Sequence, residues 1–277
     1  MYIGVDIGGT KTLVAVLNEH GEIVEQSKFP TPENYDHFLL ELRHVLALFE
    51  HNEFRAGAVG IAGRIDRERG RRYTAGHLAD ASWNDIAIQD DLEQICDCPM
   101  AVENDAKLAA LSEANLLRDK YQKVLYVTIS TGVGYGLIDK GHIDTELADR
   151  GGTTVMAEFQ GHMRRWEDFA SGRAIVAQYG KKAMDIHDDA TWRKIARNIS
   201  TGLIELVALT EPEVIVIGGS VGTYFERYGK FIRAELKNYE LPLLKLPAVR
   251  GAGRAETAVV YGCYDLAKQV YGHAKTA

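Results

Sequence analysis

Cysteine is scarce in this chain: three in 277 residues, too few for a disulfide framework and in keeping with a reducing compartment. Cys96 and Cys98 are separated by a single residue, short of the spacing of a zinc knuckle, and no second pair follows. Two small buried residues at a helix-to-strand junction is the simpler reading. Proline is also sparse, with six, and no stretch rich in Pro, Gly or Ser sets off a linker. No apolar run reaches the roughly 18 residues of a membrane span, and no signal peptide precedes the first strand, so the expected location is cytoplasmic. Positive charge is in deficit. Lys and Arg number 32 against 39 Asp and Glu, a net charge of −7, which argues against nucleic acid and against an anionic membrane as partners. The local exception is "RIDRERGRR", Arg64–Arg72, expected as a solvated turn, with a cationic rim for an anionic ligand as the alternative.

What the chain does have is enough apolar sequence, 46%, to bury a sizeable core, and a length that suits two lobes. The first 30 residues read as strand, glycine turn, strand, polar turn, strand. Asn34–His51 has apolar residues at helical spacing. "AGAVGIAG", "WNDIAIQDDLEQI", "CPMAVEND" and "AKLAALSEANLLR" continue as strand, helix, strand and helix, the alternation of an α/β lobe. The pattern restarts at "KVLYVTISTGVGYGLIDKGHI", Lys123–Ile143, again strand, glycine turn, strand. We read an internal repeat, hence two related α/β lobes, 1–118 and 119–277, with a cleft between them and a hinge near Arg118–Gln122. The closing helix is a candidate to return to the N-terminal lobe.

Three glycine turns follow apolar strands: Gly8-Gly9, Ser130–Gly136 and Ile217–Gly222. Glycine lets backbone N–H groups approach an anion with no Cβ in the way. Thr10, Lys11, Ser130 and Thr131 add side-chain donors. No turn has the P-loop or dinucleotide spacing, and a single one would be an ordinary turn; three on repeated lobes point to phosphate. The acid is Asp105, where a strand meets a helix. Capping that helix is its modest role. A carboxylate at a strand end can also take a proton from a substrate hydroxyl, the one base that phosphoryl transfer needs. Asp6, on the strand before the first turn, then suits a hydrated Mg²⁺ held through water.

With these residues the chain resembles the ROK family (repressors, open reading frames and kinases) of the sugar-kinase, actin and Hsp70 superfamily. "DIGGTKT" looks like its first phosphate motif, "ENDAKLAALSE" its catalytic segment, "TISTGVGYGLI" its second phosphate motif and "EPEVIVIGGSV" its adenosine-side motif. The resemblance implies two ribonuclease-H-like lobes closing over ATP·Mg²⁺ and a sugar, and a glucokinase-like kinase acting on a hexose or hexose derivative. Asp105 would be the general base and Asp6 the magnesium-side acid. Asn104 and Gly63 would meet the sugar. Gly8, Gly9, Thr10, Lys11, Thr131, Gly132, Gly134, Gly218 and Gly219 would meet the nucleotide. A homodimer is implied as well.

The departures fall on the sugar side. Family kinases usually carry a Gly-Glu-x-Gly-His segment, then a cysteine cluster for structural zinc. The cluster is absent here, so no zinc is expected. The Glu-His segment aligns either with "AEFQGHM", keeping Glu158 and His162 with one residue too many between them, or with "RGGTTVM", which loses both. Period and turn chemistry favour the second, because Gln160-Gly161 reads as a hairpin turn between two strands. Glu167, in "WEDFASGRAI", matches the family's third sugar-contacting carboxylate; a helix-entry acid is the alternative. Ala62 stands where the family has proline, and His77 where it has asparagine. Two other readings stay in play: a non-catalytic sugar or nucleotide binder, and a ROK-type regulator. The second expects a DNA-reading domain ahead of the first strand, for which Tyr2 leaves no room.

Overall fold

The computed structural model describes residues 1–73, 78, 80–147, 155–239, 245–254 and 256–272. The chain forms two compact units, one of residues 1–112 together with the segment from Thr257 onward, the other Glu113–Glu256.

In the first unit β1 (Tyr2–Ile7), β2 (Lys11–Leu17) and β3 (Ile23–Pro30) form an antiparallel meander. After α1 (Tyr35–Ala47), β4 (Ala56–Ile61) pairs parallel with β1. A short ribbon of β5 (Ile65–Asp66) and β6 (Arg71–Arg72) precedes α2 (Ile88–Cys96), and β7 (Met100–Asn104) then pairs parallel with β4 and runs straight into α3 (Asp105–Asn115). The sheet order is β3-β2-β1-β4-β7. Strand β4 is buried at every position, so its apolar run is continuous, as in a strand covered on both faces. Edge strand β3 alternates instead. Asn34 caps α1 by accepting from the Asp36 and His37 amides, and Phe38, Leu42 and Val45 face the core. Cys96 and Cys98 are buried at the α2–β7 junction, and burial pushes both thiols up to about 12. The closing helix, Ala258–Tyr271, packs on the same sheet. Gly262 allows it to meet α3, because a Cβ there would lie 2.0 Å from the Leu108 carbonyl oxygen.

In the second unit β8 (Lys123–Ile129), β9 (Val133–Asp139) and β10 (His142–Ile143) form a meander, followed by a hairpin of β11 (Met156–Phe159) and β12 (His162–Arg165). Then come α4 (Glu167–Ala170), α5 (Gly172–Tyr179), α6 (Asp189–Thr210), β13 (Val214–Gly218), α7 (Gly219–Gly222), α8 (Phe225–Lys237) and β14 (Ala248–Gly251). The closing helix is thus α9. The sheet order is β10-β9-β8-β13-β14, with β13 parallel to both β8 and β14. Both sheets therefore grow by the same rule, a meander extended by parallel strands, which is the repeat the sequence pattern suggests. The sequence-based boundary at 118 lies within the second unit. That unit begins at Glu113, whose buried carboxylate accepts from the Gly253 and Arg254 amides at 2.8 and 2.6 Å. Among the described residues no helix is long and apolar enough to cross a membrane.

Candidate active site

The carboxyl ends of β1, β4 and β7 gather most of the first unit's candidates, where open α/β sheets place their ligands. The strands are in register, so Asp6 lies beside Gly60 and Gly60 beside Glu103, with Ile7, Ile61 and Asn104 in the next row. A Cβ on Gly60 would come within 3.6 Å of the Asp105 Cα. Asp6 and Asp105 repel each other. The Asp6 carboxyl is pushed up to about 7, first by burial and then by the Asp105 charge, with Lys28 opposing. A divalent cation would relieve that repulsion. One or two carboxylates suit Mg²⁺, which keeps several waters and takes other ligands from phosphate. Among the described residues no group of three or more His, Cys, Asp or Glu is placed to hold a metal.

Asp105 is half-buried at the start of α3. Its Oδ1 accepts from the Ala106 amide at 2.9 Å, and Asn104 Oδ1 accepts from the same amide at 3.0 Å. Asn104, the residue before α3, therefore holds the cap position, and Asp105 adds a second acceptor within the first turn. Asn104 also donates from Nδ2 to the Gly63 carbonyl at 3.3 Å, and Gly63 holds a φ of 124° that disfavours any side chain. The neighbouring Gly8–Lys11 turn is closed by the Gly8 amide donating to the Lys11 carbonyl at 3.0 Å. Thr31 braces it, its hydroxyl donating to the Gly8 carbonyl at 2.7 Å. Gly9, Thr10 and Lys11 are left exposed at the tip.

The arginine-rich segment corrects the expectation of a solvated turn. Arg67 forms a two-pronged ion pair with Glu103, Nε to Oε2 at 2.7 Å and Nη2 to Oε1 at 2.5 Å, and Glu103 Oε1 also accepts from the Asn104 amide. Glu103 is buried, so the pair fixes a residue two positions before the candidate base. Arg72 is fully buried; its Nε donates to the Ala62 carbonyl at 2.9 Å and its Nη1 to the Trp83 carbonyl. Burial pulls its guanidinium down to about 10, partly countered by the charge of Asp105. Among the described residues, Arg72 Nη2 has no hydrogen-bond partner. Two of the segment's arginines thus serve the interior because buried acceptors await them. A charge run read locally gives no sign of this.

The second unit gathers the remaining candidates at the β8–β9 turn and the end of β13. Thr131 is exposed and Gly132 half-buried. Gly134 sits in the ladder opposite Thr128. Gly218 ends β13, and Gly219 takes a φ of 79° with its Cα against Thr128, Ile129 and Ser130, where a Cβ would be 2.6 Å from an atom of each. Next to Gly218 lies a cavity of about 330 Å³ whose lining includes Thr223, Phe225, Glu226, Arg233 and Arg250. Glu167 is buried at the start of α4, its Oε2 accepting from the Val133 amide at 3.0 Å and its Oε1 3.6 Å from Arg173 Nη2.

The β11–β12 hairpin turns on Gln160 and Gly161, both at positive φ, the geometry of a type I′ turn. Glu158 and His162 are exposed, and Glu158 Oε1 is occupied by the Gly161 amide. This is the arrangement expected from the alignment that loses the family's Glu and His. Glu158→Ala and His162→Ala are accordingly expected to change kcat/KM for any substrate by less than about twofold, as for exposed residues that line no site; steady-state kinetics check this. His77 and residues 150–154 of the alternative segment lie outside the described residues.

Comparison with known proteins shows what the whole chain is similar to. A glucokinase of Streptomyces coelicolor is 29% identical over 268 residues, covering 79% of this chain and 81% of that one. An N-acetylmannosamine kinase of Yersinia pestis is 31% identical over 255 residues, covering 81% and 86%. A crystal structure of a ROK family glucokinase from Streptomyces griseus, in complex with glucose and AMPPNP, superposes with a TM-score of 0.80 at 25% identity over 97% of this chain and 99% of that one. The model of the ROK family matches residues 2–270, and the chain belongs to that family.

Proposed function

We propose that this protein is an ATP-dependent sugar kinase that phosphorylates a hydroxyl of a hexose or hexose derivative. The observation that carries the reading is the pair Asp6 and Asp105, two mutually repelling carboxylates at the carboxyl end of one sheet, next to the exposed Gly9–Lys11 tip. A scaffold kept only for binding gains nothing from such a pair. The names of the relatives, kinases of glucose and N-acetylmannosamine, support the acceptor class.

In this reading Asp105 accepts the proton of the acceptor hydroxyl as its oxygen bonds to the γ-phosphorus and the bond from phosphorus to the ADP oxygen breaks. Lys11 and the turn amides take up the charge on the phosphoryl oxygens. Asp6 would hold Mg²⁺ through water, and the ion when bound would neutralise phosphate charge. The Arg67–Glu103 pair and the Asn104 link to Gly63 keep the base and the proposed sugar contacts in place. Thr131, Gly132, Gly218 and Gly219 receive the nucleotide, with the cavity beside Gly218 as its nucleoside end. The test is a panel of hexoses, amino sugars and polyols supplied with ATP and Mg²⁺ while ADP release is followed. At least one hexose-type acceptor is expected to be turned over. Nucleotide binding with no turnover on any member would favour the non-catalytic reading instead.

A further inference from the structure

Among the described residues the β8–β9 turn is held from outside at three points, all within the second unit. The Gly172 amide, the first of α5, donates to the Ser130 carbonyl at 2.7 Å. The Ser220 amide, in α7, donates to the Ser130 hydroxyl oxygen at 3.0 Å. The Val133 amide donates to Glu167 Oε2 at 3.0 Å. A further bond from the Ser130 amide to the Gly132 carbonyl, at 2.9 Å, closes the turn on itself. The socket is tight. A Cβ on Gly172 would lie 2.6 Å from the Ser130 carbonyl oxygen, and one on Gly219 would lie 2.6 Å from the Ser130 hydroxyl.

Of these tethers only Glu167 is a charged side chain, and it is 6% exposed. Burying a carboxylate is costly unless it is satisfied, and a neutral acceptor would tether the Val133 amide without adding negative charge near a turn meant for phosphate. The carboxylate has more acceptor sites than that amide uses. The Arg173 guanidinium stands off at 3.6 Å, beyond hydrogen-bond reach, on a side chain that is 61% exposed. One oxygen is therefore committed to the turn and the other still has acceptor capacity.

We infer that Glu167 is a positioning residue for the nucleotide: by fixing the Val133 amide it sets Thr131 and Gly132 in register with Gly219 and Ser220. The inference rests on the proposed reading that these turns receive the nucleotide. It differs from a contact to the sugar, which would act on the acceptor alone. Under it, the same carboxylate governs donor affinity even when no acceptor is present.

The experiment measures the affinity of ADP with Mg²⁺ by calorimetry, with no sugar present, for the full chain and for Glu167→Ala, Glu167→Gln and Glu167→Asp. The amide oxygen of glutamine can still accept from the Val133 amide, so Glu167→Gln is expected to bind ADP within about threefold of the parent. Alanine offers no acceptor and aspartate is too short to reach, so both are expected to lose about tenfold, the scale of a hydrogen bond to a charged group. In turnover assays Glu167→Asp is expected to raise KM for ATP more than it lowers kcat. If Glu167→Ala does not fold, the order of Gln and Asp decides. Aspartate binding ADP like the parent while glutamine fails would show that charge, not the tether, matters, and would overturn the inference. All variants matching the parent would also overturn it while leaving the nucleotide reading intact. A parent chain that binds no ADP would overturn both.

Discussion

Asp105→Asn is expected to lower kcat by about 10²–10⁴-fold, the contribution of a positioned general base, while leaving the affinity for an ATP analogue within a few-fold. Local structure makes this a clean substitution. The Asp105 side chain accepts from its own neighbour's amide at 2.9 Å, and Asn104 accepts from that amide as well, so asparagine keeps the start of α3 in shape. What asparagine cannot do is take a proton. Two secondary effects follow from charge. Asp6 loses its second-largest perturbation and should ionise more readily, and Arg72 loses the anion that partly offsets its burial. Neither effect restores a base. Stopped-flow or coupled ADP assays across pH read kcat, and calorimetry with the analogue reads binding. A variant that turns over at the parent's rate would remove Asp105 from the chemistry. A variant that no longer binds nucleotide would make it a structural residue.

The parts of this site that were legible in the sequence are those whose meaning is local. An apolar run followed by glycines identifies the turn at Gly8-Gly9, and a strand leading through an acid into an apolar-periodic segment identifies Asp105 at the start of α3. Hairpin chemistry at Gln160-Gly161 is local too, so the exposure of Glu158 and His162 followed from turn type. The illegible parts depend on partners far along the chain. Arg67 looks like one of several solvated charges until Glu103, 36 positions later, is found buried against it. Ser130 offers a hydroxyl that the sequence suggests for phosphate, and the fold commits its oxygen to the Ser220 amide 90 positions away. Glu167 is similar: helix entry is visible locally, whereas its bond to Val133 requires the β8–β9 turn to be in place. Long-range polar pairing is set by packing, and periodicity carries no trace of it.

Asp6→Asn should make the metal-free protein more stable at alkaline pH while impairing catalysis. The ordinary carboxyl value of 3.8 rises to about 7 in the fold. Between those values the folded chain holds a proton that the unfolded chain has released, so stability falls as pH rises through the window and the full penalty is present above it. For a shift of this size the penalty is on the order of 2–4 kcal/mol. Asparagine carries no charge, so in chelator the variant is expected to melt higher than the parent by about 5 °C at pH 8, with the gap closing toward pH 4. Mg²⁺ with nucleotide should reverse the comparison, because ligands that bind only the folded state stabilise it by mass action and the variant lacks the carboxylate proposed to hold the ion. kcat should fall by at least about tenfold for the same reason. Melting curves at pH 4, 6 and 8, each with chelator and with Mg²⁺ and ADP, separate the two effects. If the variant melts no higher than the parent at pH 8 in chelator, the folded chain carries no charge penalty at position 6. The fold would then have no electrostatic reason to recruit a cation there, and the carboxylate pair would lose its place in the proposed chemistry.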